Sequence, residues 1–588
     1  MSEKLELKTK TNSKIVTEMF LALLPAQILS SATASIGNIV NGLVVGNFLS
    51  DDAMVALGFV TPVTLILSAI ASIIGGGGRI LFGRNIGKGN KEKLNEVFID
   101  AFTSAILIGL VLSIFSLTCS ETIAYIIGAR GEFIDVTATY IRGLAIGIIP
   151  TLAVPSLMIF LQLSEQANYA FISTIVLAAS NLIFGLANVR VFDGGIFGMG
   201  LASSASQYAA FIFLLVKFFG EDTIFSFKFE QYNLKDSWFI CVLGSPSALA
   251  VLLYGLRNVV LNNIAFDAAG DAAVSAMAIV GSAIGPIDAI NTGVGAVGVI
   301  LASLYIGEKD KESLNKTYYA VIKVGVVISV LQMIFIALLG KPICMLFGAS
   351  GRALEEAYHL FLGFAATKIP YTICLANICI LQSLGKINVA NIYYLFVAFV
   401  APVGFAKLAC PLLGVNAVWT SYPVAEIVGL IVLFVIYFVQ NKKYPSPAFK
   451  EPLMINEMNL RGVQTNITIK DMSEVVTVSE KVIAFCKENG IDDRRSKFSG
   501  LCLEEMTANT IENAVPKGSI IDIFVDIDGQ DVILRLRNNA YKFNPLETFS
   551  PFDPKDPVKN IGVRMVYNIA KKVNYQSTFG MNVLIIEL

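Results

Sequence analysis

The fold of this chain is decided by residues 51–95, DDAMVALGFVTPVTLILSAIASIIGGGGRILFGRNIGKGNKEKLN, because the chain repeats their sequence pattern. The second copy, residues 270–315, reads GDAAVSAMAIVGSAIGPIDAINTGVGAVGVILASLYIGEKDKESLN, so that Gly87 corresponds to Gly307. Each copy is a long apolar pattern with interspersed glycines, followed by a short basic loop. A repeat at a fixed period sets the architecture of a chain, and this one predicts two halves of six helices each.

The composition is that of a membrane protein. Of the 588 residues, 55% are hydrophobic and only 15% are charged, with a mean hydropathy of +0.67. Soluble domains carry closer to about a quarter of charged residues. A net charge of −1 gives no sign of a nucleic-acid partner, and eight cysteines without a CxxC pair, beside one histidine, predict no zinc site.

Continuous apolar runs long enough to cross a bilayer recur along the chain. We therefore predict an all-α polytopic membrane protein with twelve helices in two six-helix repeats, embedded in a lipid bilayer. The predicted spans are residues 15–48, 53–83, 97–118, 136–160, 169–190, 197–219, 238–265, 273–305, 317–338, 356–382, 388–410 and 418–439.

The lysines and arginines of the short loops predict the orientation. They concentrate in the loops on the side of the N-terminus, as in Lys88, Lys91 and Lys93, and are fewer on the other side. Because basic loops stay in the cytoplasm, both termini are predicted to be cytoplasmic and the protein to lie in the cell membrane. Two six-span halves of like orientation are typical of transporters that hold substrate between the halves.

The domain boundaries follow from these patterns and from a sharp change of composition after Lys443. Three prolines near residue 450 indicate a short stiff linker, and the remainder alternates helix and strand patterns. The predicted units are an N-terminal tail (1–14), a first bundle (15–220), a second bundle (235–440), a linker (441–453) and a C-terminal α/β domain (454–588), called the tail below.

Four segments of the membrane region resemble the MATE (multidrug and toxic compound extrusion) family in order and spacing. They are NGLVVGNFLSDDAMVALGFVTP (41–62), GRNIGKGNKEK (83–93), GIFGMGLASSASQ (195–207) and GSPSALA (244–250). The resemblance covers about residues 12–440. It implies an antiporter, coupled to H+ or Na+, that exports amphipathic and often cationic small molecules.

Ionisable residues at bilayer depth are costly and are functional candidates by default. Asp288 lies near the middle of the eighth span, beside Pro286, and Arg257 lies deep in the seventh. We expect the two to pair. Such a pair could couple ion flow to substrate release, if the carboxylate alternates between a proton, a metal cation and the arginine. The alternative is a fixed structural ion pair that ties two helices together.

The first half departs from the family pattern at two positions. The resemblance implies an aspartate in the first helix where this chain has Asn41, and an N-x-x-x-D that reads here as Asn181-x-x-x-Gly185. Both amides are candidates for binding substrate or sodium through their carbonyl oxygens, with hydrogen bonding between helices as the alternative. Ion coupling is therefore expected in the second half.

The tail has the patterns of a mixed α/β domain. Helical spacing runs over residues 472–490 and 560–573, and residues 519–538 predict a hairpin around Asp528-Gly529. MNVLIIEL (581–588) closes the chain as a strand. The helix LEEMTANTIENA (503–514) places Glu505, Asn509 and Asn513 four residues apart on one face.

A carboxylate and two amides on one helix face suit a magnesium–triphosphate site, although an exposed polar face explains them as well. The tail resembles the GHKL ATP-binding fold of anti-sigma-factor kinases, a two-layer α/β sandwich. The resemblance implies Mg-ATP binding, with Glu505 as the base and Asn509 as the magnesium ligand. Asn538 stands where the family has its adenine-reading aspartate, and Gly562 remains from a later G-x-G.

Two functions remain open at this point. The first is an ion-coupled exporter whose cytoplasmic ATP-binding-like domain regulates it, with a cytoplasmic regulatory protein as a further expected partner. The alternative is a membrane-tethered serine/threonine kinase or anti-sigma-like switch that uses the transporter half as a sensor.

Overall fold

The computed structural model describes residues 13–48, 51–163, 166–220, 225–441, 451, 453, 462–469, 472–514, 521–539, 541–545, 561–578 and 580–588. Eleven described helices are long and apolar enough to cross a membrane. A pair of helices bent by 46° supplies a twelfth span if it is counted as one. The chain is thus a mostly helical multi-pass membrane protein, as predicted.

The first half contains eight helices, of which α5 and α6 form the bent pair. They are α1 (Ser13–Phe48), α2 (Asp51–Gly87), α3 (Lys91–Thr118), α4 (Ser120–Ile126), α5 (Phe133–Ala145), α6 (Ile148–Leu163), α7 (Ala167–Ala187) and α8 (Gly195–Phe218). The short α4 was not predicted. It connects α3 to α5 and is too short to span a bilayer.

The second half repeats this plan with longer helices. They are α9 (Leu234–Ala269), α10 (Asp271–Glu308), α11 (Lys311–Leu346), α12 (Gly351–Ser383), α13 (Ile387–Tyr394), α14 (Ala401–Leu413) and α15 (Asn416–Asn441). A π-helical turn, Leu395–Val400, joins α13 and α14 into one span, Ile387–Leu413.

The two copies of the repeat meet face to face where α2 and α10 cross. A Cβ on Gly87 would overlap the carbonyl oxygen of Leu304, and a Cβ on Gly307 would overlap that of Arg84. Arg84 Nε also donates to the carbonyl of Ser383, 3.1 Å away, in the second half. The corresponding glycines therefore permit direct backbone contact between the halves at the end of the bundle that we call the tail side.

The run of four glycines in α2 serves helix packing. A Cβ on Gly77 would overlap the carbonyl oxygen of Ile240, and a Cβ on Gly244 would overlap that of Ile73. Small residues let helix backbones approach in a membrane. The run therefore marks a site of close helix packing.

The described tail has two layers, a five-stranded antiparallel sheet and three helices on one of its faces. The strands are β1 (Val463–Ile469), β2 (Ile521–Asp528), β3 (Asp531–Asn538), β4 (Lys572–Thr578) and β5 (Met581–Glu587), in the order β1-β2-β3-β5-β4. The helices α16 (Val475–Glu488), α17 (Asp493–Ala514) and α18 (Ile561–Ile569) share one apolar core with the alternate residues of these strands.

Most tail predictions are confirmed at the level of elements. The hairpin turns at Gly529, whose φ of +66° explains the glycine, and Asp528 pairs with Asp531. The helix predicted to reach residue 573 ends at Ile569, because Lys572 already begins an edge strand.

Candidate functional site

A cavity of about 420 Å3 opens among the helices of the second half. Four charged side chains of alternating sign line it, two acidic and two basic: Asp288, Glu426, Arg257 and Lys368. Amide and aromatic side chains complete much of the wall, including those of Tyr254, Asn258, Asn262, Asn291, Phe364, Tyr371 and Tyr422. Apolar walls with a few convergent polar groups are the usual build of a small-molecule site.

The central contact of the cavity is an ion pair between Asp288 of α10 and Lys368 of α12. The lysine side chain is only 2% exposed, whereas that of Asp288 is 45% exposed and opens into the cavity. Each partner lies two residues from a proline, Pro286 or Pro370, which removes one backbone hydrogen bond from its helix. The pair thus couples a buried cation to a carboxylate that ligands can reach.

Hydrogen bonds fix the backbone around this pair. Asn291 donates to Gln332 (2.9 Å), whose own amide donates to the carbonyl of Ile287 (2.7 Å), and this holds α10 against α11 beside Asp288. The hydroxyl of Ser329 donates to the carbonyl of Lys368 (3.0 Å). Both charged residues therefore project from positions braced by α11.

The expected pairing of Arg257 with Asp288 is wrong. The guanidinium of Arg257 lies over the rings of Tyr254 and Tyr422, 4.8 Å from each centroid. Among the described residues its hydrogen-bond acceptor is the neighbouring Asn258, at 3.3–3.4 Å. The lysine takes the carboxylate because it is the more deeply buried cation, and an unpaired buried charge is costly.

Glu426 of α15 is the second acid of the cavity and is only 8% exposed. Among the described residues its Oε2 atom has no hydrogen-bond partner. A buried polar atom without a partner is unusual. Glu426 can therefore receive a proton or a donor group of a ligand.

Lys368 and Glu426 were not among the predicted site residues. Lys368 lies in the apolar run FLGFAATKIPYTIC, where the rule that singled out Asp288 applies equally. Glu426 stands near the start of a span, where a glutamate is as easily a helix cap or a headgroup-level charge. Sequence could have found the first but not the second.

The first half carries buried amide side chains. Gln27 of α1 donates to Gln162 of α6 (2.6 Å), and both are buried. Asn181 of α7 is 4% exposed. Asn41 falls within α1, but its side chain lies outside the described part of the chain. Of the two predicted amides, the structure thus places only Asn181.

The predicted nucleotide residues of the tail are brought together in part. Glu505 of α17 abuts the start of α18, where a Cβ on Gly562 would overlap its carboxylate. The Oδ1 atom of Asn509 is buried and has no hydrogen-bond partner among the described residues. Asn513 is exposed and donates to the carbonyl of Asn509 (2.8 Å). Glu505 and Asn509 thus supply oxygen atoms, the ligand type that Mg2+ prefers.

The predicted adenine-site residue, Asn538, is the last residue of β3. Its Oδ1 atom accepts a hydrogen bond from Asn582 (3.1 Å), which in turn accepts one from Tyr575 (2.7 Å). This buried network ties Asn538 to the sheet. No three His, Cys, Asp or Glu side chains converge as a metal site in the part of the chain that the structure describes.

Comparison with known proteins agrees with the architecture of the membrane region. The chain is 24% identical over 455 residues to the "Probable multidrug resistance protein YoeA" of Bacillus subtilis (strain 168), which covers 75% of this chain and 97% of that protein. It is 26% identical to the "Multidrug export protein MepA" of Staphylococcus aureus (strain N315), with 67% of this chain and 88% of that protein covered.

Two solved structures show the same fold over 74% of this chain and 99% of theirs. They are an outward-facing multidrug resistance MATE family transporter (TM-score 0.66, 21% identity) and a MOP superfamily transporter from Pyrococcus furiosus (TM-score 0.65, 21% identity). The MatE family model matches residues 26–187 and 246–406, more than half of the chain but none of the tail. The chain belongs to the MATE family of multi-pass membrane transporters.

Proposed function

We propose that the protein is a cation-coupled antiporter, driven by H+ or Na+, that exports amphipathic or cationic small molecules through the second-half cavity. The observation that carries this proposal is the Asp288–Lys368 pair, because a single carboxylate both neutralises a buried cation and faces the cavity. Family membership supports multidrug efflux as the general activity.

The geometry supports competition for the two carboxylates. When a proton or Na+ reaches Asp288, the Lys368 ammonium loses its partner, and the cost of leaving it buried favours rearrangement of α10 against α12. A cationic substrate competes with Lys368 for Asp288 and Glu426. The rings of Phe364 and Tyr371, which also line the cavity, give its apolar part a surface. Substrate and coupling ion thus exclude each other, as antiport requires.

Under this proposal the tail side faces the cytoplasm of the cell, because the basic loops lie there. The tail is proposed to bind Mg-ATP through Glu505 and Asn509 as a regulatory module. The unsatisfied Oδ1 of Asn509 supports the cation position. Asn538 is the proposed contact for the adenine base, and its Oδ1 already accepts one hydrogen bond, from Asn582. The kinase alternative is not favoured, since the membrane region belongs to a transporter family.

The export proposal is tested in proteoliposomes that report efflux of a cationic dye under a proton gradient and, separately, a sodium gradient. Asp288→Asn should abolish stimulation by whichever gradient drives the wild type. Asp267→Asn is the matched control, because this exposed acid lies in α9 outside the cavity. Full gradient-driven export by Asp288→Asn would refute the role of this carboxylate.

The nucleotide proposal is tested by equilibrium binding of a fluorescent ATP analogue to the full chain with and without Mg2+. Glu505→Gln should weaken the Mg2+-dependent part at least tenfold, whereas Glu512→Gln, an exposed acid of the same helix, should not. Absence of binding by the wild type would remove the nucleotide from the proposal. Phosphate transfer to a protein that is lost in Glu505→Gln would instead favour the kinase alternative.

A further inference from the structure

The face of the tail sheet that points away from its helices is charged, yet it is buried. In β2 the residues Asp522 and Asp526 alternate with the core residues, as do Arg535 and Arg537 in β3. All four are 5% exposed or less. Charged residues are seldom buried to this extent without partners. Strand β1 provides hydrogen bonds to the two aspartates, and the membrane region provides the partners of the two arginines.

The second half is held through the loop between α10 and α11. Arg537 donates to the Asp310 carboxylate at 2.6 Å and lies 3.2 Å from that of Glu308. Arg535 donates to the carbonyl of Glu308 at 2.6 Å. Both arginines are therefore anchored by charge-assisted or carbonyl bonds that water does not reach.

The first half is held through the loop between α2 and α3, by the edge strand β4. The Asn574 amide donates to the carbonyl of Gly89, and the Gln576 amide to that of Ile86, both at 2.9 Å. A Cβ on Gly89 would lie 2.9 Å from the Cδ1 atom of Ile585, so the sheet packs directly on this loop.

These two loops are the corresponding loops of the internal repeat. Gly89 and Lys309 occupy equivalent positions of the repeat, and both adopt the left-handed backbone conformation, with φ of +66° and +60°. The next residue of each loop, Asn90 or Asp310, caps the following helix through its side chain. One sheet therefore bridges both copies of the repeat, directly beside the crossing of α2 and α10.

We infer that the tail is a clasp that holds the two halves of the transporter together on the tail side. The inference rests on the proposed alternating exposure of the cavity, because opening toward the tail side must part α2 from α10. A domain bound to both loops opposes that motion. The bridge must break before the cavity can open there.

The attachments of the tail to the two halves differ in chemistry, and the difference indicates which attachment breaks first. Buried ion pairs to Arg537 hold the second half. The half-buried Asn574 and Gln576 donate to backbone carbonyls of the first half, and an exposed contact adds to them, in which Asn539 donates to the Glu18 carboxylate of α1 at 2.7 Å. Buried charged pairs are screened by water and salt much less than exposed ones. The tail therefore stays with the second half and releases the first.

A native thiol reports the separation of the halves. Cys379 of α12 is 1% exposed and packs with Ile80 of the first half and with Leu243 and Val299 of the second. It becomes accessible when α2 moves away. Cys486 and Cys502, fully buried in the tail core, report whether the tail itself remains folded.

The test is pulse alkylation of the full chain in lipid nanodiscs with N-ethylmaleimide, without substrate, nucleotide or gradient, and with each cysteine quantified by mass spectrometry. The double variant Asn574→Ala, Gln576→Ala should raise the alkylation rate of Cys379 roughly tenfold, the shift expected for about one net hydrogen bond. Cys486 and Cys502 should stay protected. Arg537→Ala, which releases the stronger anchor, should raise the Cys379 rate further.

The matched control is Gln530→Ala, which removes an amide that donates to a carbonyl, that of Gly490, within the tail (3.1 Å). An unchanged Cys379 rate in the double variant, with a protected tail core, would overturn the clasp. If Cys486 and Cys502 react in the double variant, its tail has unfolded, and the single variant Gln576→Ala is measured instead. An unchanged Cys379 rate in that variant, with both core thiols protected, would overturn the clasp. Failure of gradient-driven dye export would refute the proposed function and leave this measurement unaffected.

Discussion

The two six-helix halves share a backbone plan but place different chemistry at bilayer depth. The second half surrounds a cavity with Asp288, Lys368 and Glu426. In the first half the buried polar residues include Asn181 of α7 and the glutamine pair Gln27–Gln162. Duplication fixes where helices cross, because glycine contacts and loop caps must be kept in both copies. It does not fix where charges lie, so each half can take its own task.

The largest effect is expected from separating the partners of the ion pair. Asp288→Ala leaves the deeply buried Lys368 ammonium alone, and breaking such a pair costs about 3–5 kcal/mol. Lys368→Met leaves a carboxylate that already reaches the cavity, so it should lower the thermal unfolding temperature less. The double variant should recover most of the stability without recovering export. Equal destabilisation by the two single variants would show that burial of the pair is symmetrical.

The shared backbone plan predicts a matched pair of effects in the two halves. Gly87→Ala and Gly307→Ala each introduce a Cβ into the backbone of the facing helix, and overpacking of this kind costs about 1–3 kcal/mol. Both variants should lower the unfolding temperature of the purified protein by similar amounts. Gly281→Ala, where no atom lies within 4 Å of the new Cβ, should not lower it. A large effect at only one of the two glycines would break the equivalence of the halves.

The elements that the sequence predicted well are those with a strong local signal. The repeat and the apolar spans were readable because hydropathy and spacing are properties of the chain itself. The partner of Asp288 was not, because Arg257 and Lys368 are both cations within apolar spans. Which of them reaches α10 depends on how α9 and α12 pack, and one sequence contains no such distances.

The buried charged face of the tail shows a second limit. Strand β2 alternates apolar residues with Asp522 and Asp526, a pattern that predicts one face in the core and one in water. The structure covers the second face with the membrane region instead. Alternation predicts two faces of different polarity, but it cannot say that a polar face has a partner.

That face should make tail docking depend on pH. Burial, reinforced by Asp310, raises the pKa of Asp522 from an ordinary value of 3.8 to about 6, against the opposing effects of Arg537, Lys316 and Thr468. The docked state therefore binds this proton more tightly than the undocked state, so docking is favoured at low pH and weakens as pH rises through 6. Between pH 5 and 7 the docking constant should fall about tenfold.

Alkylation of Cys379 checks this dependence, with the Asp522→Asn variant as the reference at each pH. Dividing the wild-type alkylation rate by the variant rate at each pH removes the pH dependence of the alkylation reaction itself. The wild type should react faster than the variant at both pH values, and the ratio of the two rates should rise about tenfold from pH 5 to pH 7. A ratio that is constant between pH 5 and 7 would show that Asp522 keeps the same environment whether or not the tail is docked.

The smallest effect is expected in the first half. If its amides only join helices, Asn181→Ala should cost about 0.6 kcal/mol, the mean for polar contacts between membrane helices. Export by this variant should then keep its response to the gradient, and the rate should fall less than threefold. Thermal unfolding and dye efflux measure both quantities on the same preparation. Loss of gradient dependence in Asn181→Ala would place coupling in both halves, because a carbonyl oxygen would then be replacing the carboxylate that the first half lacks.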